Sequence, residues 1–291
     1  MYLSYCIQNT DSYQTIKEVL KSYFHISDRL LLKLKKQNKV FLNHSPCPIY
    51  RPVHAGDIIS FLLDFEEDNS NIIPCQMDLS IIYEDPFYLV IDKPSNLATH
   101  PSISHYSNSL SNGIRFYFDQ IGLKKKIRIV NRLDKNTSGL VLCAKNEYIQ
   151  ECLIQQMQKN QIQKEYLGIL TGYLYEKSGT IDAPIARKSG SIIERCIDPN
   201  GERAITHYTV LQESDGLSLV KFRLETGRTH QIRVHSSYIG HPILGDSLYG
   251  TESSLISRQA LHSYHLSFYH PVNKQFVEYT SPLPKDMLFL F

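Results

Sequence analysis

Residues 129–146 read IVNRLDKNTSGLVLCAKN. A β-branched pair, Ile129 and Val130, leads to a lone carboxylate, Asp134. Thr137, Ser138 and Gly139 close a turn, and a second apolar run leaves from Leu140. Strand, tight turn, strand is how a rigid sheet presents a short loop, and such loops often carry function. Asn146 is placed to cap a helix in which Ile149, Leu153 and Met157 recur at helical spacing.

Asp134 taken alone has two readings. It is a turn residue or structural ion pair, as most single aspartates are, or it is a nucleophile or general base with Arg132 and Lys135 beside it. No second carboxylate follows at a regular spacing. That argues against a two-carboxylate glycosidase and against a carboxylate-rich metal site.

Outward from this stretch the chain is strand-rich. LSIIYEDPFYLVIDKP predicts a hairpin turned at Asp85-Pro86, KIRIVNRLD a strand before the loop, and KEYLGILTG a strand after the helix. RAITHYTVLQES and LSLVKFRLE are strands joined at Asp215-Gly216. TGRTHQIRVHSSYIG turns at a glycine and becomes a short helix, and LHSYHLSFYHP with QFVEYTSPLP closes as a hairpin. Hairpin connections with few intervening helices give an α+β fold with a mixed, mainly antiparallel sheet, not a doubly wound one.

Ahead of this body, residues 14–22 and 27–36 predict two short helices, the second capped by Ser27 and striped by Leu30, Leu31 and Leu34. Strands KVFLN and GDIISFLL complete a compact module over residues 1–65. EEDNSNIIPCQ marks a linker at 66–78, and residues 79–291 form the larger domain.

The chain has 291 residues, with 42% hydrophobic and 21% charged, an ordinary globular composition, and a net charge of +2 that announces no polyanion. Locally, Arg115 to Lys135 holds seven basic residues against two acidic ones, an excess suited to a polyanion or simply to a solvated face. Six scattered cysteines form no C-x-x-C, so a reducing, cytoplasmic setting without structural metal is expected. The opening MYLSYCIQNTDSY lacks a signal-peptide pattern, and no apolar run is long enough to span a bilayer.

Two further stretches suit an anion. Arg228 precedes a helix start, where a guanidinium and free N–H groups can meet a carboxylate or phosphate, although a surface helix-end arginine reads the same way. His230, His235 and His241 fall on different sides of that helix, against a metal site. Lys164 and Tyr166 alternate on one strand and share a face. They suit either a base with its phosphate or a cross-strand pair.

Taken together, NRLDKNTSGL, KEYLGILTG and TGRTHQIRVHSSYIGHPILGD, in that order, resemble the RluA-type pseudouridine synthases; VIDKPSNLATHP and LHSYHLSFYHP fit the same pattern. The resemblance spans residue 79 to the end. SDRLLLKLKKQNKVFLN with VHAGDII resembles the αL RNA-binding motif. The resemblance implies a pseudouridine synthase fold with a central RNA-binding cleft. It implies isomerisation of uridines in RNA, ribosomal large-subunit RNA first and transfer RNA second, by a monomer needing no metal or cofactor. It makes Asp134 the catalytic group, Arg228 its ion-pair partner and Tyr166 the ring over the uracil. RNA contacts fall to Asn131, Arg132, Lys164, Thr229 and His230. Asn131 departs from the histidine usual there, and activity is expected to survive the change. The rivals are a relative that binds RNA without chemistry and a nucleoside or glycoside hydrolase acting through Asp134.

Overall fold

The computed structural model describes residues 1–63, 65–102 and 106–291. The N-terminal part builds a four-stranded sheet from β1 (Tyr2–Cys6), β2 (Val40–Leu42), β3 (Ser45–Pro46) and β4 (Ile58–Leu62), in the order β1-β4-β2-β3. Its helices are α1 (Ile16–Glu18), which widens at once into a π-helical turn over Val19–Tyr23, and α2 (Asp28–Lys36). Ser27 caps α2 by accepting from the Leu30 amide, and Leu30, Leu31 and Leu34 are buried. Two features differ from expectation. The first helix is mostly a π turn, and β1 was not foreseen, because its partner β4 lies more than fifty residues on. Pro46 falls in β3, an edge strand, where its missing N–H breaks no ladder.

The larger part begins with β5 (Ser80–Glu84) and β6 (Tyr88–Lys93), then α3 (Leu110–Gln120), β7 (Arg128–Ile129), β8 (Ser138–Ala144), α4 (Glu147–Gln158) and β9 (Gln163–Thr171). It continues through β10 (Ser178–Asp182), β11 (Ile185–Arg187), β12 (Arg195–Ile197), β13 (Ile205–Ser214), β14 (Leu217–Leu224), α5 (Gln231–Tyr238), β15 (Leu261–Tyr269), β16 (Phe276–Thr280) and α6 (Lys285–Leu288). One ten-stranded sheet runs β10-β13-β14-β9-β15-β8-β6-β5, with β7 on β8 and β16 on β15. The fold is α+β and mainly antiparallel. Asp215 and Gly216 both take positive φ, which the two-residue hairpin between β13 and β14 requires.

The centre of the sheet is the one parallel contact among the described strand pairs, His262 and Ser263 of β15 against Ser138 and Gly139 of β8. Gly139 has φ of 110°, and a Cβ there would collide with the Ser263 carbonyl. The glycine that ends the Asp134 turn is thus the residue that lets two halves of the sheet meet. Alternate residues of β6 and β8 divide the core, as the two-residue period of a strand requires. Val90, Leu140 and Leu142 face one apolar cluster, and Leu89, Ile91, Val141 and Cys143 the other, under α3.

The N-terminal part packs on the first of these clusters. Phe61 meets Tyr148 of α4 edge-on at 5.5 Å, and Lys33 pairs with Glu147 at 2.6 Å. Residues 66–78 have no regular structure, yet they are stitched to the body. Glu67 takes both guanidinium arms of Arg128, at 2.6 and 2.7 Å, and Cys75 donates to the Asn112 carbonyl. Three of the seven basic residues read in 115–135 are answered from within. Arg115 pairs with Asp119, Lys124 with Glu66 and Arg128 with Glu67. Arg132, in the same segment, has no ion pair among the described residues and lines a cleft.

Candidate active site

The Asp134 loop is fixed from both sides. The strand expected over KIRIVNRLD pairs only at Arg128–Ile129, because Asn131 replaces the next rungs with its side chain. Its Nδ2 donates to the Leu140 carbonyl at 3.0 Å, and its Oδ1 accepts from the Leu142 amide at 2.7 Å. Asn131 thus supports the loop with one Nδ2 hydrogen and its Oδ1, and it also lines the same cleft as Arg132. On the other side, the Thr137 amide donates to the Asp134 carbonyl and closes the turn.

Beneath the loop lies Lys93, fully buried at the end of β6. Its Nζ donates to the carbonyls of Pro94, Leu97 and Lys135 at 2.8, 2.9 and 3.1 Å, tying VIDKPSNL to the residue after Asp134. Burial pulls its pKa down to about 7, against the opposing pull of the Asp134 charge. The unfolded value is about 10.4. The folded state therefore holds fewer protons between pH 7 and 10, so this group makes stability rise with pH across that window and leaves it flat below. Lys93→Met removes both the donor and the slope. Urea denaturation at about pH 7 and about pH 9 should show wild type gaining on the variant by on the order of 1.4 kcal/mol per unit. A gap that does not change with pH would refute the assignment.

The partner of Asp134 is Arg233, not Arg228. Arg233 Nη1 donates to Asp134 Oδ2 at 3.0 Å, while its Nε and Nη2 grip Asp246 at 2.7 and 2.8 Å. Asp246 is wholly buried; burial pushes its pKa up, and the Arg233 hydrogen bonds and charge overcome this and hold it low. Arg228 instead turns to the rim, pairing with Glu202 and donating from Nε to the Arg203 carbonyl. Arg228 precedes the helix and faces outward, whereas Arg233 lies inside α5 between the buried Ile232 and Val234. Neighbours at i±1 do not share a helix face, so that apolar flanking gave no sequence signal that Arg233 is buried.

His230 caps α5 with φ of 59°; its Nε2 is 3.8 Å from Asp134 Oδ2 and its Nδ1 is 2.8 Å from the Tyr249 hydroxyl. Burial lowers its pKa, with Asp134 opposing, so the ring is neutral at pH 7. His235 bonds Thr206 and the Ala183 carbonyl, His241 the Thr171 carbonyl, and no three metal-ligating side chains converge among the described residues.

These groups open onto one cleft of about 1040 Å³. Asn131, Arg132 and Asp134 line it from the loop, Lys164 and Tyr166 from β9, and Arg228, Thr229 and His230 from the approach to α5. Tyr166 is buried beside Asp134. Its hydroxyl is pushed up to about 12, by burial first and by the Asp134 charge, while a hydrogen bond with Ser263 pulls it down. Burial also lowers the Lys164 ammonium, which has no carboxylate partner among the described residues. His100, whose pKa is pushed down by burial and by Arg132, adds an imidazole to the same wall. Lys93, His100, Arg233, Asp246 and Tyr249 are the site residues that sequence reading missed.

The arrangement is a cleft in which Asp134 stands beside an aromatic ring, Tyr166, with Arg132 and Lys164 free of ion pairs among the described residues and Glu225 on the same lining. It suits a flipped nucleotide attached to a polyanion. A sequence model of the family described as RNA pseudouridylate synthase matches residues 87–238. The RNA pseudouridine synthase YjbO of Bacillus subtilis (strain 168) is 38% identical over 263 residues, covering 90% of this chain and 93% of that protein. The ribosomal large subunit pseudouridine synthase D of Pasteurella multocida (strain Pm70) is 34% identical over 302 residues, covering 98% and 93%. Among solved structures, human RNA pseudouridylate synthase domain containing 1 superposes with a TM-score of 0.59 at 29% identity, covering 70% of this chain and 83% of its own.

Proposed function

Because this chain belongs to the RNA pseudouridylate synthase family, we propose that it converts specific uridines of large-subunit ribosomal RNA, with Asp134 as the catalytic residue. The enzyme is an RNA pseudouridine synthase, an isomerase. The large-subunit assignment rests on relatives such as the Pasteurella protein, which is named for that RNA.

The observation that carries the reading is Asp134 in the cleft, hydrogen-bonded at 3.0 Å to an arginine that a second, buried carboxylate also holds. In the isomerisation the N1–C1′ bond of uridine breaks, the uracil turns within the cleft and C5 bonds to C1′. The C5 proton leaves and N1 gains one, so nothing is added or lost. Asp134 acts at the sugar or the base as nucleophile or base. The nucleotide must first leave its stack; Arg132, with no ion pair among the described residues, holds the vacated strand. Lys164 takes an adjacent phosphate and Tyr166 stacks on the uracil. In this reading residues 1–65 form the RNA-binding module, 66–78 a linker and 79–291 the catalytic body, and the protein acts as a monomer in the cytoplasm.

Pseudouridine mapping of RNA from cells with and without the protein tests the reading. Loss of signal at defined large-subunit positions is expected; loss confined to transfer RNA would overturn the substrate, and no loss anywhere would overturn the function.

Tyr166 gives a sharper test of role. A phenol near 12 is scarce as phenolate at pH 7 but strongly basic when formed. If it takes the C5 proton, Tyr166→Phe slows that step by about 10² to 10⁴ and removes its rise with pH, yet still binds RNA. Tyr166→Leu loses the ring as well and weakens binding. Near-wild-type single-turnover rates for both variants would take Tyr166 out of the site.

A further inference from the structure

The short hairpin formed by β11 and β12 is a two-stranded sheet of its own, with a further bridge from Ile185 to Glu202, and it sets two cations face to face. Arg187 and Arg195 are directly opposite in its register. Side chains at opposed positions share a face about 5 Å apart, and like charges there are destabilising. A carboxylate stands one rung away, but Glu194 is taken by Lys188 at 3.0 Å. Arg195 reaches only the carbonyls of Ile193 and Glu194 through Nη1, and Arg187 has no hydrogen bond or ion pair among the described residues.

The pair faces a chamber of about 520 Å³ between the hairpin and the start of α5. Four arginines line it, Arg132, Arg187, Arg195 and Arg228, against one acid, Glu202, which Arg228 already engages. The chamber is continuous with the Asp134 cleft, because Arg132, Arg195, Arg228 and Thr229 line both. The hairpin is held in place against the site. Ile185 packs with Ala204 and Val234, and the Arg195 amide donates at 2.8 Å to the Tyr249 hydroxyl, which also bonds His230.

We propose that this chamber is a second anion site, in which Arg187 and Arg195 together grip a phosphodiester of the RNA strand next to the target nucleotide. The proposal rests on the reading of the enzyme as an RNA pseudouridine synthase and adds a place for the strand outside the base pocket. An anion between the two guanidiniums removes their repulsion, and planar guanidinium forks match phosphate oxygens in pairs. Continuity with the cleft favours a phosphate of the bound strand over a separate anion. It also fixes where the strand runs, from Asp134 past Arg132 toward the hairpin.

Counterion release makes the site measurable. For single strands each neutralised phosphate contributes about 0.7 to the slope of log affinity against log salt. Binding of the full chain to a short single-stranded oligouridylate is followed across salt for wild type, Arg187→Gln, Arg195→Gln, the double variant and Arg187→Lys. Each Gln substitution should weaken binding about tenfold at low salt, the double variant should lose the single phosphate contact and with it about 0.7 of the slope, and Lys should keep the slope. An unchanged slope in the double variant, or a Lys variant as poor as Gln, overturns the proposal. So does inorganic phosphate raising the melting temperature of wild type but not of the double variant while the RNA slope stays put; that marks a site for a free anion. Pseudouridine mapping separates the two readings. A reduced slope with no pseudouridine made by wild type leaves the phosphate site standing and the enzyme reading fallen; modification with an unchanged slope does the reverse.

Discussion

Asp134→Asn is expected to bring pseudouridine formation to background while RNA affinity stays within about tenfold. The amide has the shape of the carboxylate and still offers an oxygen to Arg233, whose other arm remains on Asp246. The loop should hold, since its Lys93 and Asn131 supports use backbone carbonyls and amides, not the Asp134 side chain. What goes is the capacity to act as nucleophile or base. General acid–base assistance alone is worth about 10² to 10⁴ in rate. A single-turnover rate within about a hundredfold of wild type would therefore place Asp134 outside the chemistry, whatever the resemblance of its flanking sequence.

Arg233→Gln should be the most damaging change to the fold near the site. It strands Asp246, whose side chain is entirely buried, without its counter-charge. Breaking a buried pair in this way costs about 3–5 kcal/mol. The pH dependence separates this from generic damage. In wild type the Asp246 pKa is depressed, so its contribution is present above the unfolded value near 3.9 and disappears as pH falls through the lower folded value. In the variant the main force pulling it down is gone and burial pushes it up. Protonation then relieves the buried charge, and the variant should recover stability as pH falls from about 7 toward 4, where wild type does not. Denaturant midpoints at several pH values decide it, and parallel curves for the two proteins would show that Asp246 does not depend on Arg233. Arg233→Lys keeps a charge but cannot fork to both carboxylates, so it should be intermediate in stability and poor in turnover.

Much of the fold was written locally. The Ser27 and Asn146 caps, the Asp85-Pro86 and Asp215-Gly216 turns and the closing hairpin all lie where the residues put them. The unread elements are of two kinds. β1 and the β11–β12 arm depend on partners or supports that no neighbouring residue advertises, and α3 opens with Ser111, Asn112 and Gly113, which argue against a helix until Ser109 caps it and the turn is buried. In the site, Asp134, Tyr166 and Lys164 stood out because loops and alternating strands display their side chains. Arg233 did not, because a charge inside an amphipathic helix looks like solvent-facing surface until its partner thirteen residues later is placed. The linker's own contacts were equally invisible. Its acids, Glu66 and Glu67, are the counter-charges of Lys124 and Arg128.

The junction at Gly139 has a consequence for the order of events in the cell. Ser138 bonds His262, 124 residues further along the chain, and β8 and β15 meet only there. Closing a loop of that span is slow compared with forming a hairpin or helix, and a growing polypeptide must wait for the later strand to emerge. Until β15 arrives, β8 lacks its parallel neighbour and the Asp134 turn has no wall behind it. A nascent or prematurely terminated chain can therefore carry every residue of the Asp134 loop and remain inert. Competence to modify RNA appears late in synthesis and all at once.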